Sequence, residues 1–113
     1  MEHEVRPWGE YFVLDDSSTH KVKRIVVKPG GRLSYQYHFH RAEVWTIVEG
    51  EALITIDEID QTYKVGEVAI IPLKAKHRIQ NKSEQNLVFI EVQWGESFEE
   101  DDIVRIEDDY NRN

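Results

Sequence analysis

The stretch Arg32–His40 reads Arg-Leu-Ser-Tyr-Gln-Tyr-His-Phe-His, polar and apolar residues alternating with a period of two. In an extended strand, side chains two apart share a face. Arg32, Ser34, Gln36, His38 and His40 therefore form one row, and Leu33, Tyr35, Tyr37 and Phe39 the other. His38 and His40 can offer two imidazoles to one metal ion. Simple polarity would bury the aromatic row and leave the polar row in water. The alternative places the polar row inside a closed sheet, lining a pocket, with the aromatic row against a second sheet or another subunit. A second strand pattern, Leu87–Val92, puts Val88, Ile90 and Val92 on one side and Phe89 and Glu91 on the other. An inward carboxylate is costly unless paired or protonated, so Glu91 is a site candidate if it faces in and a surface charge if it faces out.

Such residues need a scaffold of strands. Short β-rich runs recur at spacings of roughly 8 to 12 residues, the signature of a sandwich or barrel. They fall near Tyr11–Leu14, Lys21–Val27, Arg32–His38, Val44–Val48, Ala52–Ile56, Thr62–Val65, Val68–Ile71, His77–Gln80 and Leu87–Val92. Turn-forming residues separate them, including Asp15-Asp16-Ser17-Ser18, Pro29-Gly30-Gly31 and Glu49-Gly50-Glu51. No segment of helical length carries a 3.6-residue period. The expectation is all-β, and closing into a small barrel removes exposed sheet edges most economically at this length. We expect one domain over residues 1–113, with a core of about 10–94 and an acidic extension of about 95–113 in which Ile103–Ile106 is a short pairing segment.

Composition removes several chemistries. The 113 residues are 40% hydrophobic and 32% charged, as in a globular protein, and contain no cysteine. Disulfides, thiolate metal sites and a cysteine nucleophile are therefore excluded, and a metal must use His, Asp or Glu. The formal net charge of −8 argues against general nucleic-acid binding. No apolar run reaches membrane-spanning length and the start lacks a secretory signal pattern, so the expected location is cytoplasmic, with no membrane partner. The charge is segregated. Lys21, Lys23, Arg24, Lys28, Arg32 and Arg41 face no acid in their stretch, whereas the segment from Glu96 onward is strongly acidic. The basic stretch is either a solvated strand face or an attractor of a small anion such as a sugar phosphate.

Gly66, Pro72, Lys74, His77 and Asn81, together with Gly30-Gly31 before the paired histidines and Gly50 after them, resemble in spacing the two motifs of the cupin superfamily. Lys74 stands where the second motif usually has glycine. The resemblance implies a double-stranded β-helix, or jelly-roll, barrel in which His38, His40 and His77 converge on a divalent ion of the zinc, manganese, nickel or iron type. The acidic ligand of the common motif falls at Val44, with Glu43 beside it; a local bulge would let Glu43 join as a ligand.

The likeness extends further. Arg6-Pro7-Trp8-Gly9, Lys21-Val22-Lys23-Arg24-Ile25, Pro29-Gly30, Arg32-Leu33-Ser34, Gln36, His40-Arg41-Ala42-Glu43, Glu91-Val92-Gln93 and Glu100-Asp101-Asp102-Ile103-Val104-Arg105 resemble type II phosphomannose isomerase domains. These domains commonly form the C-terminal part of bifunctional mannose-1-phosphate guanylyltransferases and read His-Arg-Ala-Glu-His-Trp where this chain has Val44. The resemblance implies interconversion of mannose 6-phosphate and fructose 6-phosphate, which needs a base and an electrophile that stabilises the enediolate. Glu43, Glu91 and His77 are then the catalytic candidates. Arg32 is the first candidate for the phosphate, followed by Lys23, Arg24 and Arg41, and Gln36 and Ser34 are candidates for the sugar hydroxyls. A non-catalytic sugar-binding cupin and a small metal-dependent oxygenase are the rival readings. A homodimer is expected if the aromatic row of Arg32–His40 must be covered.

Overall fold

The computed structural model describes residues 2–98 and 102–109. They form eleven strands in two antiparallel sheets: β1 His3–Arg6, β2 Gly9–Asp16, β3 His20–Val27, β4 Tyr35–Tyr37, β5 Arg41–Glu49, β6 Ala52–Ile56, β7 Ile59–Tyr63, β8 Val68–Ile71, β9 His77–Gln80, β10 Leu87–Gly95 and β11 Val104–Glu107. One sheet runs β1-β2-β3-β10-β5-β8 and the other β11-β4-β9-β6-β7. The all-β expectation is met. Among the described residues no helix is long and apolar enough to cross a membrane.

The inward faces of β3, β10 and β5 explain why the barrel has a packed end and a polar end. Along β10 the inward residues are Leu87, Phe89, Glu91 and Gln93, all buried. Phe89 lies between Ile25 of β3 and Ile47 of β5; one pleat further, Glu91 lies between Lys23 and Trp45, and then Gln93 beside Glu43. β3 and β10 therefore switch from apolar to polar at the same level, and β5 one pleat later, after Trp45. Below the switch, Ile25, Val27, Ile47, Ile54, Ile71, Ile79, Leu87 and Phe89 form the core. Full burial of each such side chain contributes about 1.5–3 kcal/mol, enough to hold a polar layer above it.

Three expectations need correction. The stretch Arg32–His40 is not one strand: regular pairing is confined to Tyr35–Tyr37, and Arg32 forms an isolated bridge to Gln80. β4 meets β9 through the single register pair Gln36 and His77, so outside these residues no ladder imposes a period of two. Ser34, Tyr35 and His38 are buried while His40 is exposed, which breaks the predicted rows. The aromatic row is split: Leu33 packs on the core and the buried Tyr35 hydroxyl donates to Glu58 Oε1 at 2.9 Å, while Phe39 is exposed. Finally, β1 was not expected; it pairs with β2 and brings Arg6 toward the polar end.

The acidic extension is an integral part of the second sheet. β11 pairs with β4, Val104 opposite Tyr37 and Arg105 opposite Gln36. Outside the barrel, Arg32 is paired with Asp109 and Glu107, and Arg78 donates to the Glu107 carboxylate and carbonyl at 3.0 Å each. Basic strand residues and the acidic extension thus neutralise one another.

Candidate active site

The polar end encloses a cavity of about 130 Å³ lined by residues of both sheets, including Lys23, Ser34, Gln36, His38, Arg41, Glu43, Trp45, Glu91 and Gln93. Arg41, Glu43, Trp45 and Ile47 alternate inward along β5 without a bulge at Glu43, and Val44 lies on the outer face opposite Ile70 and Val92. Valine at position 44 therefore removes nothing from the interior. Glu43 enters the cavity through the ordinary pleat of the strand.

His38, Glu43 and His77 come together, each fully or almost fully buried, with one potential ligand atom from each within 4.8 Å of the others. His38 Nε2 lies 3.4 Å from Glu43 Oε2, and the two imidazole rings are 5.1 Å apart. Their tautomers follow from their partners. Nδ1 of His38 faces the carbonyl of Asp102 at 2.7 Å, and Nδ1 of His77 faces the carbonyl of Ala75 at 2.9 Å. A carbonyl can only accept, so each Nδ1 carries the hydrogen and each Nε2 presents a lone pair toward the cluster. Nε2 of His77 is buried with no hydrogen-bond partner among the described residues. Burial drives the pKa of both histidines down to about 4, which keeps them neutral, the form that binds metals.

The donor set fits a divalent ion. Bonds of about 2.0–2.2 Å to imidazole nitrogen and carboxylate oxygen place neighbouring donors about 3.0–3.5 Å apart, close to the His38–Glu43 separation. The carbonyl acceptors behind both Nδ1 atoms are the outer support such ligands use. His40 is not brought to the cluster. Its side chain is 54% exposed, with Nδ1 4.0 Å from Glu96, because the chain turns outward before β5.

A second carboxyl stands beside the cluster. The indole N–H of Trp45 is shared by Glu43 Oε1 at 2.9 Å and Glu91 Oε1 at 3.1 Å, and Gln93 donates to Glu91 Oε2 at 2.7 Å. Burial, then the neighbouring charge of Glu43, pushes the Glu91 pKa up to about 7; the Lys23 ammonium opposes this. Glu91 is accordingly poised to take or give a proton near neutrality. The Glu43 carboxylate is also held by a cation: Arg41 donates to Glu43 Oε2 at 2.9 Å and to His38 Nε2 at 3.2 Å.

Of the anticipated substrate residues, Ser34, Gln36, Lys23 and Arg41 line the cavity. Arg32 and Arg24 do not. Arg32 turns to Asp109 and Glu107, and the Arg24 guanidinium lies 5.5 Å from the centre of the Phe12 ring, on the outer face. Even residues of β3 face outward and odd ones inward, so Lys23 and Arg24 cannot share a site. Arg6, Arg105 and Gln93 line the cavity although the sequence reading did not select them. Gln93 follows Glu91 by two residues, and that spacing was a usable signal. Arg6 and Arg105 reach the cavity through strands whose partners are set by the fold.

With this geometry in hand, the chain can be compared with known proteins. A model of the family described as "Mannose-6-phosphate isomerase C-terminal" matches residues 1–108. The chain belongs to this family. It is 47% identical over 113 residues to the mannose-1-phosphate guanylyltransferase ManC of Salmonella typhimurium, covering 99% of this chain and 24% of that protein. Against the alginate biosynthesis protein AlgA of Pseudomonas aeruginosa it is 45% identical over 107 residues, covering 95% of this chain and 22% of that one. The chain thus spans about a quarter of the length of these curated relatives. Among solved structures it resembles the capsular polysaccharide assembling protein CapF of Staphylococcus aureus, with a TM-score of 0.79 and 23% identity over 94% of this chain and 31% of that one. A sugar phosphate isomerase of the cupin superfamily from Silicibacter pomeroyi gives a TM-score of 0.70 at 21% identity, over 75% of this chain and 58% of that one. A Klebsiella pneumoniae protein with a double-stranded β-helix domain gives a TM-score of 0.74 at 22% identity, over 84% of this chain and 76% of that one, so the fold is the cupin double-stranded β-helix that the motifs implied.

Proposed function

We propose that this member of the mannose-6-phosphate isomerase C-terminal family interconverts mannose 6-phosphate and fructose 6-phosphate. The observation that carries the reading is a buried carboxyl, Glu91, beside a cluster of two imidazoles and a carboxylate, with Glu91, His38 and Glu43 lining one cavity. His38 and His77 through Nε2, and Glu43 through its carboxylate, would hold a divalent ion. When bound, such an ion supplies Lewis-acid polarisation of the carbonyl and adjacent hydroxyl oxygens of the open-chain sugar. Glu91 takes the proton from the carbon next to the carbonyl and returns it to the former carbonyl carbon, while the hydroxyl proton of the adjacent carbon passes to the former carbonyl oxygen, so that aldose and ketose exchange with no net gain or loss of atoms. Trp45 and Gln93 hold the Glu91 carboxyl in place by donating to its two oxygens.

Lys23, Arg6 and Arg105 are the cations of the cavity lining that would meet the phosphate, and Ser34 and Gln36 the groups that would meet sugar hydroxyls. Turnover of mannose 6-phosphate by the purified chain with added Zn²⁺, Mn²⁺, Ni²⁺ or Fe²⁺ tests the proposal. Activity no greater than that of a His38→Ala control under every metal ends it.

One observation favours a second reading, a non-catalytic sugar-phosphate-binding domain. Arg41 already supplies a cation to His38 and Glu43, so the buried cluster is partly compensated without a metal. That reading predicts a rise in melting temperature with mannose 6-phosphate and no turnover.

A further inference from the structure

The place of Arg41 has consequences for metal binding beyond the proposed reaction. Arg41 opens β5 and lies two residues before Glu43, so the pleat puts both side chains on the inward face. It is buried to 6% exposure, and its guanidinium bridges two of the three atoms expected to hold an ion, Glu43 Oε2 and His38 Nε2. A carboxylate oxygen has lone pairs for more than one partner. A neutral imidazole with hydrogen on Nδ1 has a single lone pair at Nε2. His38 Nε2 therefore serves either the Arg41 N–H or a metal ion, never both. A guanidinium a few ångströms from a divalent ion also repels it strongly in a buried site.

We propose, resting on the metal-binding reading above, that Arg41 is a resident cation of the site. It holds His38 and Glu43 in the metal-free protein and leaves His38 when a divalent ion enters, setting the affinity threshold for that ion. Its position at the end of a strand, on the cavity wall, gives the side chain room to withdraw without moving the sheet. The role is distinct from phosphate recognition, for which a cation must face bound substrate rather than the ligand atoms. Here Arg41 directs Nε and Nη2 at those atoms themselves.

The experiment is calorimetric titration of Zn²⁺ into chelator-stripped full chain: wild type, Arg41→Met, and each combined with His77→Ala. Arg41→Met is expected to bind Zn²⁺ at least tenfold more tightly than wild type, and to melt at a lower temperature in EDTA because Glu43 and His38 lose their donor. Equal or weaker binding by Arg41→Met, with His77→Ala still abolishing binding in both backgrounds, overturns the role of Arg41 alone. Zn²⁺ binding that is absent from both, or unaffected by His77→Ala, removes the metal centre and this proposal with it. If Arg41→Met does not fold, wild type answers by itself. In protein carrying ¹⁵N-arginine, the Arg41 Nη2–H signal, from the group that faces His38, should be protected in EDTA and shift or broaden away on saturation with Zn²⁺; an unchanged signal overturns the proposal.

Discussion

His38 Nδ1 donates to the backbone carbonyl of Asp102 at 2.7 Å, joining residues 64 positions apart in the chain. The Asp102 carboxylate turns back to accept the N–H groups of Phe39 at 3.1 Å and His40 at 3.0 Å. These three bonds fix the backbone after His38 and the tautomer of its ring. They also draw the acidic extension into the site, where Ile103 and Arg105 line the cavity.

Asp102→Ala keeps the carbonyl but leaves two N–H groups without their acceptor. We expect a loss of about 1–2 kcal/mol in chemical denaturation and weaker Zn²⁺ binding, because the segment carrying His38 is less constrained. A variant ending at residue 101 loses the carbonyl as well, and should bind Zn²⁺ more weakly than Asp102→Ala. Equal affinities for all three proteins would deny the extension any part in holding His38.

Metal-free stability should depend on pH through three buried groups. His38 and His77 have folded pKa values of about 4 against an ordinary 6.5. The unfolded chain therefore takes up protons first as pH falls, and their contribution is complete above 6.5 and lost progressively down to 4. Glu91 acts oppositely: with a folded value of about 7 against 4.5, it favours folding below 4.5 and loses that contribution as pH rises through 7. Two histidines outweigh one carboxyl in the shared window, so the melting temperature in EDTA should climb from pH 4.5 to 6.5. Glu91→Gln should climb more steeply and exceed wild type at pH 7.5. Melting curves across this range, compared for the two proteins, check both signs.

Glu91→Gln also separates chemistry from binding. The amide retains the shape and a carbonyl for Trp45 but cannot accept a proton from carbon. We expect turnover to fall by roughly 10²–10⁴, with KM and Zn²⁺ affinity within a few-fold of wild type. A comparable loss of Zn²⁺ affinity would instead assign Glu91 to the ligands.

Arg32 and Lys23 should behave in contrasting ways. Arg32 faces Asp109 and Glu107 outside the cavity, so Arg32→Ala should leave KM for mannose 6-phosphate unchanged and cost at most about 1 kcal/mol of stability. Lys23 is buried on the cavity wall, and Lys23→Met should raise KM tenfold or more. Steady-state kinetics of the two variants decide between a phosphate site inside the barrel and one on its rim.

Lys74 holds φ at +65°, a left-handed conformation that glycine adopts without steric cost, and its N–H donates to the His38 carbonyl at 2.9 Å. Lys74→Gly relieves a strain of order 1–3 kcal/mol, partly offset by the greater freedom of glycine in the unfolded chain. The net expectation is a modest gain, up to about 1 kcal/mol, measured by denaturant titration. A loss of stability would mean the lysine side chain makes a compensating contact.

The sequence by itself determined the all-β class, through short β-branched runs between turn residues, and three strands with their bounds, Ala52–Ile56, Val68–Ile71 and His77–Gln80. It also singled out His38 by its spacing from His40 and Glu91 by its place in an alternating strand, while His77 and Glu43 were marked by the resemblance to the cupin motifs. Where regular pairing continues, side chains do alternate with a period of two, as in β3, β5 and β10, but the pattern leaves open which row faces inward and the pairing decides it. The alternation fails at Arg32–His40, where the ladder is three residues long and His40 escapes to solvent. Tertiary structure alone decided which acid enters beside the histidines, that Arg41 rather than Arg32 meets them, and that Asp102 returns to orient His38. Those outcomes depend on pairings between strands far apart in the chain, and the residues involved carry no local pattern that encodes their partners.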